Sequence, residues 1–129
     1  MDDRILQKRG SPWQTLSKER RYEDDFFSVD EHEVLNAAGH LAPYGVVHFK
    51  KKGLRILPVD DDGSLFLVGQ FRYGAQYYSW ELPAGGDETG EDPREAAARE
   101  LREEVGLEAE CWLQLSQYVP SGSLTDARD

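Results

Sequence analysis

Three features of this sequence predict an α/β fold. Strand-like segments bounded by turn residues fill most of the chain. A single helix, between residues 92 and 106, carries both start and stop signals. At 129 residues, with 39% hydrophobic residues and no repeat or low-complexity tract, the chain is long enough for one domain with a real core.

The elements follow in chain order. Residues 13–21 and 26–35 are predicted as two strands of a hairpin, with Asp24 and Asp25 at the turn, forming an antiparallel β arm of mixed charge. The loop AAGHLAP separates this arm from three further strands at 45–51, 54–60 and 64–72. The last two are joined by Asp60, Asp61, Asp62 and Gly63, a turn signal. That aspartate run lacks the spacing of an EF-hand loop, so it reads as a solvated turn and not as a calcium site. A short strand at 78–82 feeds the loop before the helix, and another is expected at 109–119 after it.

The helix is the best-specified element. Asp92 stands at the N-cap, Pro93 fits the first helical position, and Glu95 lies three residues after the cap, as a capping box requires. Gly106 supplies the stop. At about 100° per residue, Glu100, Glu103 and Glu104 project within roughly a 100° arc, beside an apolar stripe of Ala97, Ala98, Leu101 and Val105. Carboxylates at this spacing repel one another, by a few tenths of a kcal/mol per pair in an isolated helix. Arg99, four residues before Glu103, offsets part of this. A hard divalent cation would offset the rest, and an oxygen-rich set suits Mg²⁺ or Mn²⁺. An isolated pair of glutamates would read as solvated helix surface, but the wider pattern changes that reading.

The wider pattern runs from Gly85, across five residues to Glu91, then across seven to Arg99, Glu100, Leu101, Glu103, Glu104, Gly106 and Leu107. It resembles the signature of the Nudix hydrolases, with every specified position filled. The resemblance implies an α/β/α sandwich with a mixed sheet, preceded here by the N-terminal antiparallel β arm. It also implies Mg²⁺- or Mn²⁺-dependent hydrolysis of a nucleoside diphosphate linked to another moiety. Carried over by position, Glu100 and Glu104 become the principal metal ligands and Glu103 a further or water-mediated one. Glu91 and Arg99 become the pair that orients the helix, and Gly85 the residue that lets the loop backbone approach the metal. The chemistry agrees with these residue types. A pyrophosphate repels a nucleophilic water, and cations bridging its oxygens neutralise that charge and lower the pKa of a bound water.

The flanking sequences QFRYG and WELPAGG resemble the ADP-ribose pyrophosphatase branch of that family. By that resemblance Ala84 offers its carbonyl to a metal and Arg72 binds substrate phosphate or distal ribose, a task suited to a planar fork that pairs two oxygens at once. The alternative for Arg72 is a surface charge on an edge strand. Residues 1–43 are expected to act as a dimerisation arm and 44–129 as the hydrolase domain. A homodimer is expected, with Trp13, Phe26, Phe27 and Trp80 as interface candidates; Trp80 reads as core or interface ahead of base stacking. Relatives continue after the helix through another strand, an acidic loop carrying the base glutamate, and a closing helix, whereas 22 residues follow Leu107 here. A C-terminal truncation is therefore expected, with Glu103 standing in as the candidate catalytic residue and Asp126 and Glu91 next. A sheet cut short in this way exposes unpaired strand edges, so the chain alone is expected to aggregate or exchange strands in a dimer. Three readings stand: a hydrolase splitting ADP-ribose into AMP and ribose 5-phosphate, an impaired domain that senses sugar nucleotides, and an inactive fragment.

Composition bounds the partners. A net charge of −10 argues against nucleic-acid binding. Residues 85–107 hold eight acids against three arginines, half of that excess, so a site for an anionic sugar nucleotide needs its metals and Arg72 to overcome its own field. Cys111 is the single cysteine, which precludes an internal disulfide, and it is expected to be a buried, inert thiol. No apolar run resembles a signal peptide at the N-terminus or a membrane span elsewhere, so a cytoplasmic location is expected. His32, His40 and His48 show no ligand spacing and read as ordinary surface or half-buried residues.

Overall fold

In the computed structural model, which describes residues 10–88 and 90–127, the α/β character is borne out by seven strands and one helix. The expectation drawn from the first nine residues lies outside this range. The chain divides into two units, Met1–His48 and Phe49–Asp129.

The first unit is a three-stranded sheet in the order β1-β2-β3. β1 (Gln14–Glu23) pairs antiparallel with β2 (Phe27–Leu35), with Lys18 opposite His32 and Arg20 opposite Asp30. Asp24 closes their turn by accepting from the Phe26 and Phe27 N–H groups at 2.7 and 2.8 Å. Because β1 is exposed along its whole length, cross-strand charges take the place of a packed face. Arg21 meets Glu31 at 2.7 Å, and Arg20 pairs with Asp30. Asn36 then folds the next turn, its side chain accepting from Ala38 and His40 N–H, with Gly39 at φ 79°. This tight turn lets β3 (Leu41–Phe49) begin four residues earlier than the sequence suggests. Pro43 is tolerated there because β3 is an edge strand.

The second unit builds two short antiparallel pairs. β4 (Gly53–Arg55) pairs with β7 (Ala84–Gly86), and β5 (Val68–Arg72) with β6 (Tyr77–Glu81). The expected strand at 54–60 shrinks to β4, since Pro58 donates no ladder hydrogen bond, and the strand at 64–72 shrinks to β5. Between them the Asp60–Gly63 segment is the expected turn, with Gly63 N–H bonded to the Asp60 carbonyl at 2.9 Å and an isolated bridge joining Val59 to Leu65. Helix α1 (Pro93–Val105) packs on β7 and β4. Its contact with the core runs through Ala96, 0% exposed, and Leu101, with Ile56 and Pro83 also buried in this unit. Ala96 was absent from the expected apolar stripe; Ala97, Ala98 and Val105 are half-buried.

Two expectations fail here. Residues 109–119 form no strand: only Trp112 is half-buried and Leu113 is 81% exposed, so alternation exists without a neighbouring backbone to pair with. Tyr118 instead lies under the Arg55 guanidinium, 5.7 Å from its ring centroid. Cys111 is exposed and not buried, because it sits in that irregular segment. Trp80, 67% exposed, is not core in this chain; Trp13 and Phe26 are also exposed, while Phe27 is half-buried against Tyr22.

Candidate active site

The site begins where the chain must stop pairing and start a helix. The Asp92 carboxylate accepts from the Arg94 N–H at 2.9 Å and the Glu95 N–H at 3.4 Å, and Pro93 needs no partner at the first helical position. At the other end Gly106 adopts φ 68° and donates to the Arg102 carbonyl, as a left-handed cap requires. Both ends are therefore fixed by local chemistry, and the glutamates between them are carried on a rigid element.

Arg99 organises the loop against this helix. Its Nε and one terminal nitrogen grip both Glu91 oxygens at 3.1 and 2.9 Å, and that same nitrogen donates to the Gly86 carbonyl at 3.0 Å. The other terminal nitrogen meets Glu100 at 2.9 Å and Glu103 at 3.4 Å. A planar guanidinium is the side chain that can make such a set. Its interaction with Glu91, then Glu100, raises its already high pKa. Glu91 is held below the usual carboxylate range by Arg99 first and by the Glu88 N–H second.

Gly85 shows why this position has no side chain. A Cβ built there would lie 2.0 Å from the Glu100 carboxyl carbon and 2.2 and 2.3 Å from its oxygens. The loop backbone thus rests directly against a carboxylate whose side chain is only 13% exposed. Glu103 and Glu104 on the same helix are exposed. Glu100 thus sits in a cradle of loop backbone and Arg99 and offers a hard oxygen donor of the kind a divalent cation takes, while Glu103 and Glu104 stand exposed on the same helix and are not gathered with it into one set of ligand atoms.

Sequence reasoning missed two supporting residues. Asp87 pins the loop to the start of β4, accepting from the Lys52 N–H at 2.8 Å and donating its own N–H to the Lys52 carbonyl at 3.1 Å. Its place beside the glycine pair was the visible signal. Glu81 grips Arg72, whose Nε lies 3.0 and 3.1 Å from its two oxygens. No local signal announces that pair, since the residues meet only across the β5–β6 hairpin. The charge of Glu104 also acts on Arg72, which places the arginine within electrostatic reach of the acidic helix. Ala84 precedes Gly85 in β7, opposite Arg55.

The Arg72–Glu81 pair has a pH signature. Arg72, then the Ser79 side chain, lowers the Glu81 pKa to about 2 from 4.5. A depressed carboxylate contributes stability that is present above its unfolded pKa and lost as pH falls through its folded value. The expected result is a loss of stability between about pH 4.5 and 2 that Glu81→Gln removes in part, read from urea midpoints across that range. Parallel pH curves for the two proteins would refute it.

The comparisons with known proteins extend these local observations. Residues 49–127 match the NUDIX domain, and residues 13–47 match the nucleoside diphosphate sugar hydrolase N-terminal domain. The chain is 39% identical over 116 residues to an ADP-ribose pyrophosphatase of Mycobacterium tuberculosis, covering 88% of this chain and 55% of that protein. It is 30% identical over 113 residues to an ADP-ribose pyrophosphatase of Bacillus subtilis, covering 87% of this chain and 60% of that one. A crystal structure of an ADP compounds hydrolase superposes with a TM-score of 0.81 at 26% identity, covering 90% of this chain and 63% of that chain. The chain therefore spans a little over half the length of the curated relatives it matches. With its loop held to an acidic helix by Arg99 and the domain match extending from residue 49 to 127, the chain belongs to the Nudix family.

Proposed function

We propose that the protein hydrolyses the pyrophosphate bond of a nucleoside diphosphate sugar, with ADP-ribose, giving AMP and ribose 5-phosphate, as the first substrate to test. The observation that carries this reading is the contact of the Gly85 backbone with Glu100 inside the Arg99 network, which holds a carboxylate of the acidic helix against the loop that precedes it. The names of the two pyrophosphatase relatives support the substrate class. A divalent cation held by Glu100, Glu104, Glu103 and the Ala84 carbonyl would neutralise the pyrophosphate and make a water more acidic.

The chain's own residues divide the remaining work. Arg99 and Glu91 keep the loop and helix in one arrangement, so Glu100 is presented without rearrangement. Glu103 is held more loosely than Glu100, at 3.4 Å from Arg99, and is the carboxylate we assign to accept a proton. Arg72 binds substrate phosphate by exchanging or sharing its contact with Glu81. Coupled phosphate release from ADP-ribose, with AMP identified as product, tests the function; tight calorimetric binding of ADP-ribose without turnover would replace it with a sensing role.

Arg72 carries its own expectation. A phosphate contact made before the transition state as well as in it appears chiefly in KM. Arg72→Ala should raise KM about tenfold or more, and Arg72→Lys should recover only part, because a point charge cannot pair two oxygens. Unchanged KM and kcat in Arg72→Ala would return the residue to a surface ion pair.

The assembly we propose is a homodimer through the N-terminal sheet. Its support is the exposure of Trp13 and of Phe26, 77% exposed, which a partner surface would cover. Sedimentation velocity as a monomer at micromolar concentration would overturn it. Among the described residues no helix is long and apolar enough to cross a membrane, and an exposed Cys111 thiol fits a reducing compartment such as the cytoplasm.

A further inference from the structure

The first unit brings together three side chains that the Nudix site does not use. Asp30 and His32 stand two residues apart on β2 and so share one face of the sheet, and His48 reaches them from β3. One ligand-type atom from each lies within 4.8 Å of the others. The Nε2 of His48 is 3.3 Å from Oδ2 of Asp30, and the two imidazoles are tilted by 33° with centroids 6.5 Å apart. The Nε2 of His32 is buried and has no hydrogen-bond partner.

Each observation points toward a metal. Two ligands about 2.0–2.1 Å from a tetrahedral Zn²⁺ sit about 3.3 Å apart, so His48 and Asp30 already stand at ligand spacing. A buried imidazole nitrogen without a partner is a cost that coordination removes. Two imidazoles and one carboxylate select a borderline transition metal over Mg²⁺, whose preference is for oxygen. Against the site stand two cations. Arg20 pairs with the Oδ1 atom of Asp30, and Lys18 faces His32 in the β1–β2 register.

We infer that Asp30, His32 and His48 form a second, transition-metal site, with Zn²⁺ as the fitting ion, three protein ligands and a fourth position open to water. The ligands retain access to solvent, with Asp30 14% and His48 30% exposed at the side chain. Since His48 is the last residue of the first unit, bound metal ties the end of β3 to β2. The site takes no part in the hydrolysis proposed above, and its test is independent of that reading.

The test titrates zinc chloride into metal-stripped protein carrying Glu100→Gln and Glu104→Gln, in excess Mg²⁺, so that the acidic helix does not contribute. One Zn²⁺ per chain is expected, with a rise in Tm. His32→Ala or His48→Ala in that background should weaken binding more than about 100-fold, beyond the effect of losing an outer-shell partner. Arg20→Ala should do the opposite and tighten binding several-fold, because it releases the second Asp30 oxygen. Should the histidine variants fail to fold, the Arg20→Ala result and the strong visible absorption of tetrahedral Co²⁺ in the parent still decide. Absence of Zn²⁺ binding in the parent, binding indifferent to His32→Ala in a folded variant, or Arg20→Ala leaving affinity unchanged or weaker would each overturn the assignment.

Discussion

Replacing Glu104 by glutamine should lower kcat for ADP-ribose hydrolysis by about 10²- to 10³-fold while leaving the fold intact. Lewis-acid stabilisation of a transferring phosphoryl group is worth several kcal/mol, and each 1.36 kcal/mol is tenfold in rate. Glu104 is exposed on the helix, so its carboxylate contributes little to packing. Glutamine keeps the shape and removes the charge, which isolates the electrostatic role. Far-UV circular dichroism and Tm should be unchanged, and raising Mg²⁺ should recover part of the activity if affinity for the ion is what fell. Wild-type turnover at saturating Mg²⁺ and at limiting Mg²⁺ would remove Glu104 from the ligand set.

Glu100→Gln should cost at least as much, with one difference. Glu100 also accepts from Arg99 at 2.9 Å, so the substitution weakens a member of the network that holds the loop. A small fall in Tm is therefore expected for Glu100→Gln and none for Glu104→Gln. The contrast separates a ligand that is also a structural contact from one that is only a ligand.

What could be read in the sequence was what is decided within a few residues. The helix ends fall where Asp92, Pro93 and Gly106 place them, because a cap, a proline at the first position and a left-handed residue each act on their nearest neighbours. The Arg99–Glu103 contact followed from helical spacing in the same way. Elements that need a distant partner were less legible. Ala84, Gly85 and Gly86 show no strand periodicity and become β7 only because Gly53, Leu54 and Arg55 come alongside. Residues 109–119 show the periodicity and form no strand, for want of such a neighbour. In sequence the histidines read as showing no ligand spacing; Asp30 and His32 stand two apart on β2, but the arrival of His48 beside them depends on a pairing between β2 and β3 that no local pattern encodes. The same holds for Arg72 and Glu81, whose meeting requires the β5–β6 hairpin. The family was legible because its signature is concentrated on one helix and the loop that precedes it.

The second large effect is expected at Gly85, where adding one methyl group should abolish most activity without unfolding the protein. The Cβ of an alanine there would lie 2.0 Å from the carboxyl carbon of Glu100, far inside any non-bonded contact that a Cβ makes. Something must move, and the cheapest motion is a rotation of the Glu100 side chain, since its carboxyl is the free end of a flexible chain while the Gly85 backbone is paired with Leu54 in the β4–β7 ladder. Rotation takes the carboxylate out of the cradle and away from its 2.9 Å contact with Arg99, which retains Glu91 and the Gly86 carbonyl. Gly85→Ala should therefore mimic Glu100→Gln, with a fall in kcat of about 10²-fold or more and a small change in Tm. The two substitutions should also fail to add, because the second has nothing left to displace once the first has acted. Combining them in one protein gives the measurement. A double variant about as active as Glu100→Gln alone is the expected outcome, whereas full additivity, or a large fall in Tm for Gly85→Ala alone, would show that the backbone of β7 moves and that Glu100 is not what the glycine makes room for.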